Sequence, residues 1–308
     1  ARDCMTPGQL LRAPELPVRS KAPVKAPDVD PDELVRQDLR MGSLPMIFNK
    51  LVDVVNDSMS SAADVAEVIG NDPDLSARLL KLVNSPFYGL GAVVDTVSRA
   101  VTIVGTNQLV SLAMGITVVS SFEGIPNSFI NMTSFWRHSL CCGIGARLLA
   151  SQIGMPNTER FFVAGLLHDL GRLLMYILLP EYARRSLSLA RSRKYLLRAT
   201  EKEIMGLDHS ELSGALLSQW RFPPTLWHMV NWHHNPHEAP EPIEAAILCT
   251  ADAIANGLVV GSSGERLVPV LSQKTWDLLD LPVSIMGQTA EQMERQTEDI
   301  LGFFHSEK

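Results

Sequence analysis

The sequence predicts an all-α fold, and three observations support that prediction. Apolar residues recur with helical spacing through most of the chain after residue 30, and residues that start or stop helices flank those stretches. No stretch alternates apolar and polar residues between hairpin turns. Since the chain has 308 residues, 46% of them hydrophobic, it can bury one large core or two smaller ones. We therefore predict a helical protein with two lobes.

The first predicted lobe covers residues 31–128 and follows a proline-rich arm over residues 1–30, which we expect to be extended. Pro31 suits a first helical turn, and a GIPN turn over 124–127 marks the end of the lobe. After Pro86, the aromatic pair Phe87 and Tyr88 either packs the junction of the lobes or forms a partner-binding surface. Within this lobe, helical spacing and stop signals predict helices over 43–57, 61–70, 74–84, 96–105 and 106–122.

The second predicted lobe covers residues 129–260, and a C-terminal helical extension covers 261–308. Asn157 is expected to cap a helix that is apolar on almost every side, which is typical of a buried helix. Two or three shorter helices are expected in the extension. In the lobe itself we predict helices over 131–153, 158–179, 181–205, 209–220, 223–234 and 241–257.

Charge and cysteine content limit the partners and the compartment. The net charge of −7 and the pI of about 5.6 argue against nucleic acid and acidic membranes as partners. The four cysteines form no CxxC pair and no disulfide framework, so we expect a reducing cytoplasm. No uninterrupted run approaches 18 apolar residues, so we expect no membrane span.

After its first turn, the predicted helix 158–179 is apolar except for three residues, namely His168, Asp169 and Arg172. Burying such groups costs several kcal/mol unless something satisfies them. One interpretation is an Asp169–Arg172 ion pair beside a hydrogen-bonded core histidine, since buried charges are normally paired. The other interpretation is a metal site.

Five predicted helices each place a histidine or carboxylate in an apolar context, which favours the metal site. Imidazole and carboxylate ligands suit divalent transition metals without any thiolate. Because neighbouring residues on a helix diverge by roughly 100 degrees, the adjacent His168 and Asp169 suit one terminal and one bridging ligand of a dinuclear site. The predicted ligands are His138, His168, Asp169, His209, His233, His234 and Asp252, and either or both of the adjacent His233 and His234 bind the metal.

The order of these residues resembles the HD superfamily of metal-dependent phosphohydrolases. Its minimal H…HD…D signature corresponds to His138, His168-Asp169 and Asp252, and the additional histidines of dinuclear members correspond to the other three. The resemblance implies a dinuclear site for Fe, Mn or Ni, with Mg also suitable. In a catalytic member, Asp169 would bridge the metal ions and Arg172 would contact the substrate phosphate.

Residues 31–260, about three quarters of the chain, more closely resemble the HDOD domain of bacterial signalling proteins. The stretches that carry this resemblance include VIGNDPDLSARLLKLVNSPFYG, HDLGRLLMY and DHSELSGALLSQWRFPPTLWHMVNWHH. The resemblance implies a two-lobe helical HDOD fold with an HD-like metal-binding lobe. It also implies a regulatory module without an established reaction, whose partners are signalling proteins or a nucleotide such as a cyclic dinucleotide.

The chain departs from the catalytic HD-GYP branch at three places. Arg172 stands where those enzymes usually carry lysine, HHNPHEAP stands in place of their GYP loop, and Ser134 stands where some carry a glutamate ligand. Two functions stay open, namely a non-catalytic signalling module and a metal-dependent phosphohydrolase. The departures favour the signalling module.

A stripe of cations follows the predicted helix 181–205. Arg184, Arg191, Lys194 and Arg198 are spaced so that they share one helix face. Such a stripe is either a solvated surface or a docking patch for an acidic protein or a nucleotide.

Overall fold

The regular secondary structure of the protein is helical throughout the residues that the computed structural model describes, which are 30–37, 44–57, 59–122 and 129–304. Within those ranges there is no strand, so the predicted all-α class is confirmed. The predicted arm lies outside the described residues except for Asp30, and the predicted turn over 124–127 also lies outside them.

The helices of the first half begin and end close to the predicted residues because their capping residues act as expected. Ser61 and Asp64 form a capping box, and the Asp72 side chain accepts from the Leu75 amide with Pro73 in the first turn. The helices here are α1 (Pro31–Gln37), α2 (Met46–Asn56), α3 (Ala62–Gly70), α4 (Pro73–Val83), α5 (Val97–Val104) and α6 (Thr106–Ser121).

The second half consists of helices of uneven length, and the longest of them is α7. A short 3₁₀ turn, Pro236–Glu238, separates two of them. They are α7 (Met132–Ile153), α8 (Glu159–Leu167), α9 (Leu170–Leu178), α10 (Pro180–Arg193), α11 (Leu197–Met205), α12 (His209–Gln219), α13 (Pro224–Trp232), α14 (Pro242–Leu258), α15 (Gln273–Asp277) and α16 (Ile285–Phe304).

The predicted single helix over 158–179 is wrong, because the chain breaks between α8 and α9 at His168 and Asp169. Asp169 has φ −97° and ψ 8°, which is outside the helical range. Ser213 on α12 compensates for the interrupted hydrogen bonds: its hydroxyl donates to the His168 carbonyl and accepts from the Gly171 amide, each at 2.7 Å. The predicted cap is also wrong, since Thr158 stands at the start of α8 and Asn157 has a φ of 53°.

The predicted single helix over 181–205 is likewise two helices. Lys194 ends α10 in the left-handed conformation, with φ 56° and ψ 47°. The four cations therefore do not share one helix face. Arg184 pairs with Glu181 at 2.5 Å, and Arg198 on α11 pairs with Asp208 at 2.8 Å.

The C-terminal extension contains a 20-residue helix, α16, where short helices were predicted. Its buried face combines Thr289, Met293, Thr297 and Ile300, which recur every three or four residues. Because two of these four residues are threonines, the apolar pattern in the sequence is weak. Thr297 satisfies its hydroxyl by donating to the Met293 carbonyl at 2.7 Å.

One continuous core joins the two halves of the chain. The Phe48 ring on α2 lies 5.4 Å from the Phe222 ring, and the Phe87 ring lies 5.1 Å from that of Phe162 on α8. Phe87 is buried, and the Arg147 guanidinium lies 4.1 Å from its ring centroid. These contacts favour the packing interpretation of Phe87, whereas the domain boundaries at residues 31, 128 and 260 remain predictions.

Close approaches of the backbone position the helices that carry the polar core residues. A Cβ atom on Gly165 of α8 would lie 2.5 Å from the Cα of Gly143 on α7, so the two helices touch at their main chains. A Cβ atom on Gly171 of α9 would lie 2.2 Å from the carbonyl oxygen of His209 on α12. These contacts bring the end of α8 and the start of α9 against α7 and α12.

By length and composition, one stretch could cross a membrane. Glu159–Leu178, which includes the break described above, is long and apolar enough to do so, but most of it is buried inside the protein. Helices α5 and α6, which are bent relative to each other, are long and apolar enough to cross a membrane only if they are counted as one span. An apolar helix that is covered by other helices is typical of a protein core.

Candidate metal centre

The seven predicted ligands lie together in the second half of the chain, on five separate structural elements. Six of them are at most 5% exposed, and His234 is half-buried. Neighbouring imidazole rings in the group have centroids 3.9 to 5.6 Å apart. The ligands are His138 on α7, His168 and Asp169 at the α8–α9 break, His209 at the start of α12, His233 and His234 at the end of α13, and Asp252 on α14.

The first group of ligands, which we call cluster 1, consists of His138, His168 and Asp252. The Nε2 atoms of the two histidines lie 3.2 and 3.5 Å from Oδ1 of Asp252. The same two nitrogens lie 3.4 and 3.2 Å from Oδ2 of Asp169. Two imidazoles and two carboxylates therefore converge on one small region.

The second group, cluster 2, consists of His209, His233 and His234. One nitrogen of each ring lies within 4.8 Å of the others, and the Nε2 atoms of His209 and His234 are 2.8 Å apart. Oδ1 of Asp169 lies 3.2 Å from Nε2 of His209. Asp169 thus presents one oxygen to each cluster, which is the arrangement expected of a bridging carboxylate.

The rings of three histidines are oriented by hydrogen bonds from their Nδ1 atoms. His168 donates to the Gly165 carbonyl at 2.7 Å, and His233 donates to the Val230 carbonyl at 2.6 Å. His209 pairs with Oε2 of Glu201 at 2.6 Å. Such bonds leave Nε2 available toward the centre, as is usual for histidines that bind metal ions.

Unpartnered buried atoms test whether the site suits a metal ion. Both ring nitrogens of His138, Nε2 of His168, Nε2 of His233 and Oδ1 of Asp169 make no well-aligned hydrogen bond among the described residues, although three of these atoms lie 3.2 to 3.5 Å from an ion-pair partner. Leaving such atoms unsatisfied is costly, and nearly all buried polar atoms in proteins have a partner. The donor set therefore fits divalent metal ions held by imidazole nitrogen and carboxylate oxygen.

The charge states of the ligands also fit cation binding. Burial by itself raises the pKa of Asp169, but Arg172 and His168 hold that pKa well below its usual range. Asp252 is held well below its usual pKa by His138 and His168 in the same way. Burial and the neighbouring histidines lower the pKa of His233 to about 3, so this ring is neutral at pH 7.

In contrast, the pKa values of His138 and His168 are raised, which favours protonated rings when no cation is present. Burial lowers both values, but the neighbouring Asp169 and Asp252 carboxylates outweigh it. A metal ion at cluster 1 would displace these protons, because imidazole coordinates metals in its neutral form.

Arg172, the predicted phosphate contact, is 4% exposed and is held on several sides. Its Nη1 donates to Oδ2 of Asp169 at 3.1 Å and to the hydroxyl of Ser263, while Nε donates to Oε1 of Glu201 at 3.1 Å. The predicted Asp169–Arg172 pair therefore exists beside the histidine clusters, so the two interpretations do not exclude each other. This geometry favours a role for Arg172 in positioning Asp169.

Sequence reasoning missed four residues that support the site. Asn256 donates to Oδ1 of Asp252 at 2.8 Å from one turn later on α14, a spacing that could have indicated it. Glu201, Ser213 and Ser263 carry no local signal, because each reaches the site from another element. Cys142 lies beside His168 and Asp252, but burial raises the pKa of its thiol, which disfavours the thiolate needed for metal binding.

Glu201→Gln is expected to lower the metal affinity of cluster 2 by about 10- to 100-fold, because the carboxylate that orients His209 is lost. Competition with a chromophoric chelator measures this change. Glu203→Gln is the matched control, since Glu203 lies on the same helix but pairs with Arg193 at the surface. Equal metal affinity in the two variants would contradict the positioning role of Glu201.

The comparisons with known proteins point to one family. The HDOD domain model matches residues 41–236, which is more than half of the chain. A 25% identical relative from Treponema pallidum, which is uncharacterized, matches over 230 residues. Those residues are 73% of this chain and 44% of the relative, so the chain spans less than half the length of the curated relative it matches.

Three solved structures have a similar fold. A protein from Shewanella amazonensis, provisionally named a phosphohydrolase, is 27% identical with a TM-score of 0.69, covering 89% of this chain and 97% of that one. An HDOD domain protein of unknown function from Geobacter sulfurreducens is 22% identical with a TM-score of 0.70, and the match covers 87% of this chain and 97% of that one. A protein from Marinobacter aquaeolei, provisionally named a signal transduction protein, is 19% identical with a TM-score of 0.67. The match covers 90% of this chain and 67% of that one.

Proposed function

This chain belongs to the HDOD domain family, and from that premise we propose that it is a bacterial signal-transduction module that binds two divalent transition metal ions without hydrolysing a phosphate ester. Signalling proteins are its proposed partners. The observation that carries the proposal is the position of Arg172. Its Nε and Nη1 donate to Glu201, Asp169 and Ser263, so three of the five guanidinium N–H donors that could bind a phosphate substrate are already used.

The segment that follows α14 supports this proposal because it closes over the side of the site that contains Arg172. The Ser262 amide donates to the Ser134 carbonyl on α7 at 3.0 Å, and the Tyr176 hydroxyl on α9 donates to the Ser263 carbonyl at 2.9 Å. Glu265 accepts from the Leu197 amide at the start of α11 at 2.7 Å. We call residues 261–265 the closing segment. It links three helices around the site, and Ser263 is fully buried.

The second candidate function is a metal-dependent phosphohydrolase, and the shared carboxylate of Asp169 favours it. Two ligand clusters that meet at one bridging group are typical of dinuclear hydrolases. When bound, divalent ions supply Lewis-acid activation of water and of a phosphate oxygen. In that function Asp169 would hold the two ions together, and Arg172 would contact a phosphate through the guanidinium donors that Asp169, Glu201 and Ser263 do not use.

Hydrolysis assays on the metal-loaded full chain separate the two functions. With Mn, Fe, Ni or Mg added, we expect no turnover of bis-p-nitrophenyl phosphate, nucleoside phosphates or cyclic dinucleotides. Turnover that Asp169→Asn abolishes and Glu203→Gln retains would overturn the non-catalytic proposal. The Glu203 variant is the control because its side chain is exposed and lies outside both clusters.

A further inference from the structure

A cavity of about 340 Å³ lies outside the metal centre, between the end of α10, the turn to α11 and residues 264–267. It shares no residue with clusters 1 and 2. Cavities that bind small molecules in proteins usually measure about 300 to 1,000 Å³. The volume therefore suits a ligand of the size of a nucleotide.

Three cations line this cavity, namely Arg191, Lys194 and Arg266. None of them has an ion-pair partner in the described part of the chain, whereas Arg184 and Arg198 nearby are both paired. Unpaired cations that converge on one cavity attract an anion, and arginine binds phosphate through paired N–H donors.

Glu265 is the acidic residue in the cavity wall, and its charge is already satisfied by the main chain. Its Oε2 accepts from the Leu197 amide at 2.7 Å, and its Oε1 accepts from the Arg266 and Leu267 amides at 2.8 and 3.0 Å. A carboxylate with three backbone donors repels an incoming anion less than a free one does. The balance of charge at the cavity is therefore positive.

The remaining walls are apolar and include one accessible aromatic ring. Leu187, Ala190 and Leu197 form apolar surface, and Tyr195 lines the cavity with 51% of its surface exposed. An exposed aromatic ring provides a stacking surface for a planar group such as a nucleobase. The cavity thus combines an anion-attracting rim with a surface for a planar group.

The backbone at Lys194 gives a further reason to assign a role to this cavity. Lys194 adopts a φ of 56°, a conformation that favours glycine at the end of a helix. A lysine at such a position is strained, and residues strained in this way cluster at functional sites. Its charged side chain lines the cavity.

We propose that this cavity binds a nucleoside phosphate, with the phosphates at Arg191, Lys194 and Arg266 and the base against Tyr195. This site goes beyond the proposed function, because it is separate from the metal centre. It adjoins the closing segment, since Gly264 and Glu265 line the cavity and Ser263 next to them contacts Arg172.

Isothermal titration calorimetry of the full chain with ATP, pyrophosphate and adenosine tests the proposal. We expect ATP to bind more tightly than pyrophosphate, and adenosine to bind most weakly. Arg191→Glu and Arg266→Glu are each expected to weaken ATP binding by about tenfold or more, since each removes charged contacts to phosphate. The matched control is Lys50→Glu, which changes the same charge at an exposed position on α2.

Lys194→Gly keeps the test valid if a charge reversal disturbs folding. Glycine relieves the strained conformation, so this variant should unfold at the same or a higher temperature than the wild type while it binds ATP more weakly. Three results would each overturn the proposal: no binding of ATP, pocket variants that bind ATP as tightly as Lys50→Glu, or pyrophosphate binding as tight as that of ATP. Metal content, which tests the proposed function, is measured separately on the same preparations.

Discussion

Asp169→Asn is expected to remove both metal ions from the purified protein, because one oxygen of this carboxylate faces each histidine cluster. In contrast, Asp252→Asn is expected to remove only the ion at cluster 1, since the Asp252 carboxylate lies near His138 and His168. Elemental analysis by inductively coupled plasma mass spectrometry measures both losses. Asparagine is preferred to alanine because it preserves the volume beside Arg172 and limits the loss of packing.

His237→Ala is the control for this comparison. His237 lies close in sequence to cluster 2 but is exposed and belongs to neither cluster. It should retain the metal content of the wild type. Metal content that is equal in Asp169→Asn and Asp252→Asn would show that Asp169 does not bridge two ions.

Gly165→Ala is expected to lower the free energy of unfolding by about 3 kcal/mol, because overpacking of a close-packed core is destabilising. The added Cβ atom would lie 2.5 and 2.6 Å from the Cα and amide nitrogen of Gly143, and main-chain atoms cannot move aside cheaply. Urea denaturation followed by circular dichroism measures the change. The same contact places His138 and His168 beside each other, so metal content should fall as well.

Gly257→Ala is the matched control for the helix crossing. Gly257 lies in α14, and a Cβ atom there would have no neighbour within 4 Å. Alanine is the better helix former by roughly 0.5 to 1 kcal/mol, so this variant should be as stable as the wild type or more stable. Neutral surface substitutions change the free energy of unfolding by up to about 0.5 kcal/mol. If Gly165→Ala lowers it by less than that, α7 and α8 can move apart without cost, which would contradict the prediction.

The helices and the residues of the two histidine clusters could be predicted from sequence because their signals are local. Ser61, Asp72 and Thr96 start helices where capping rules place them, and helical periodicity indicates the buried face of each one. His138, His168, Asp169 and Asp252 stand out because ionisable residues are rare in apolar helices. The all-α class and the HDOD family follow from the same stretches.

The predictions that failed depend on tertiary contacts. The break at His168 and Asp169 is stabilised by Ser213 from α12, which no local pattern indicates. The break at Lys194 places a lysine in a conformation that favours glycine, so the sequence there reads as a continuous helix. Neither Glu201 nor Ser263 could be assigned to the site, since both reach it from elements distant in sequence.

Arg172 shows how the two sequence interpretations of the dyad are connected. The ion pair with Asp169 and the histidine clusters are parts of one buried network, in which Glu201 contacts both Arg172 and His209. Buried charges are tolerated when they are paired and hydrogen-bonded. In the proposed function, this network holds Asp169 in place as the bridging carboxylate and uses guanidinium donors of Arg172 that a phosphate would need.

Anomalous X-ray diffraction from crystals grown with Mn or Fe tests the dinuclear site most directly. We expect two anomalous peaks about 3.5 to 4 Å apart, as in other two-metal sites. One peak should lie among His138, His168 and Asp252, and the other among His209, His233 and His234, with Asp169 between them. A single peak, or two peaks that Asp169 does not contact, would contradict the account.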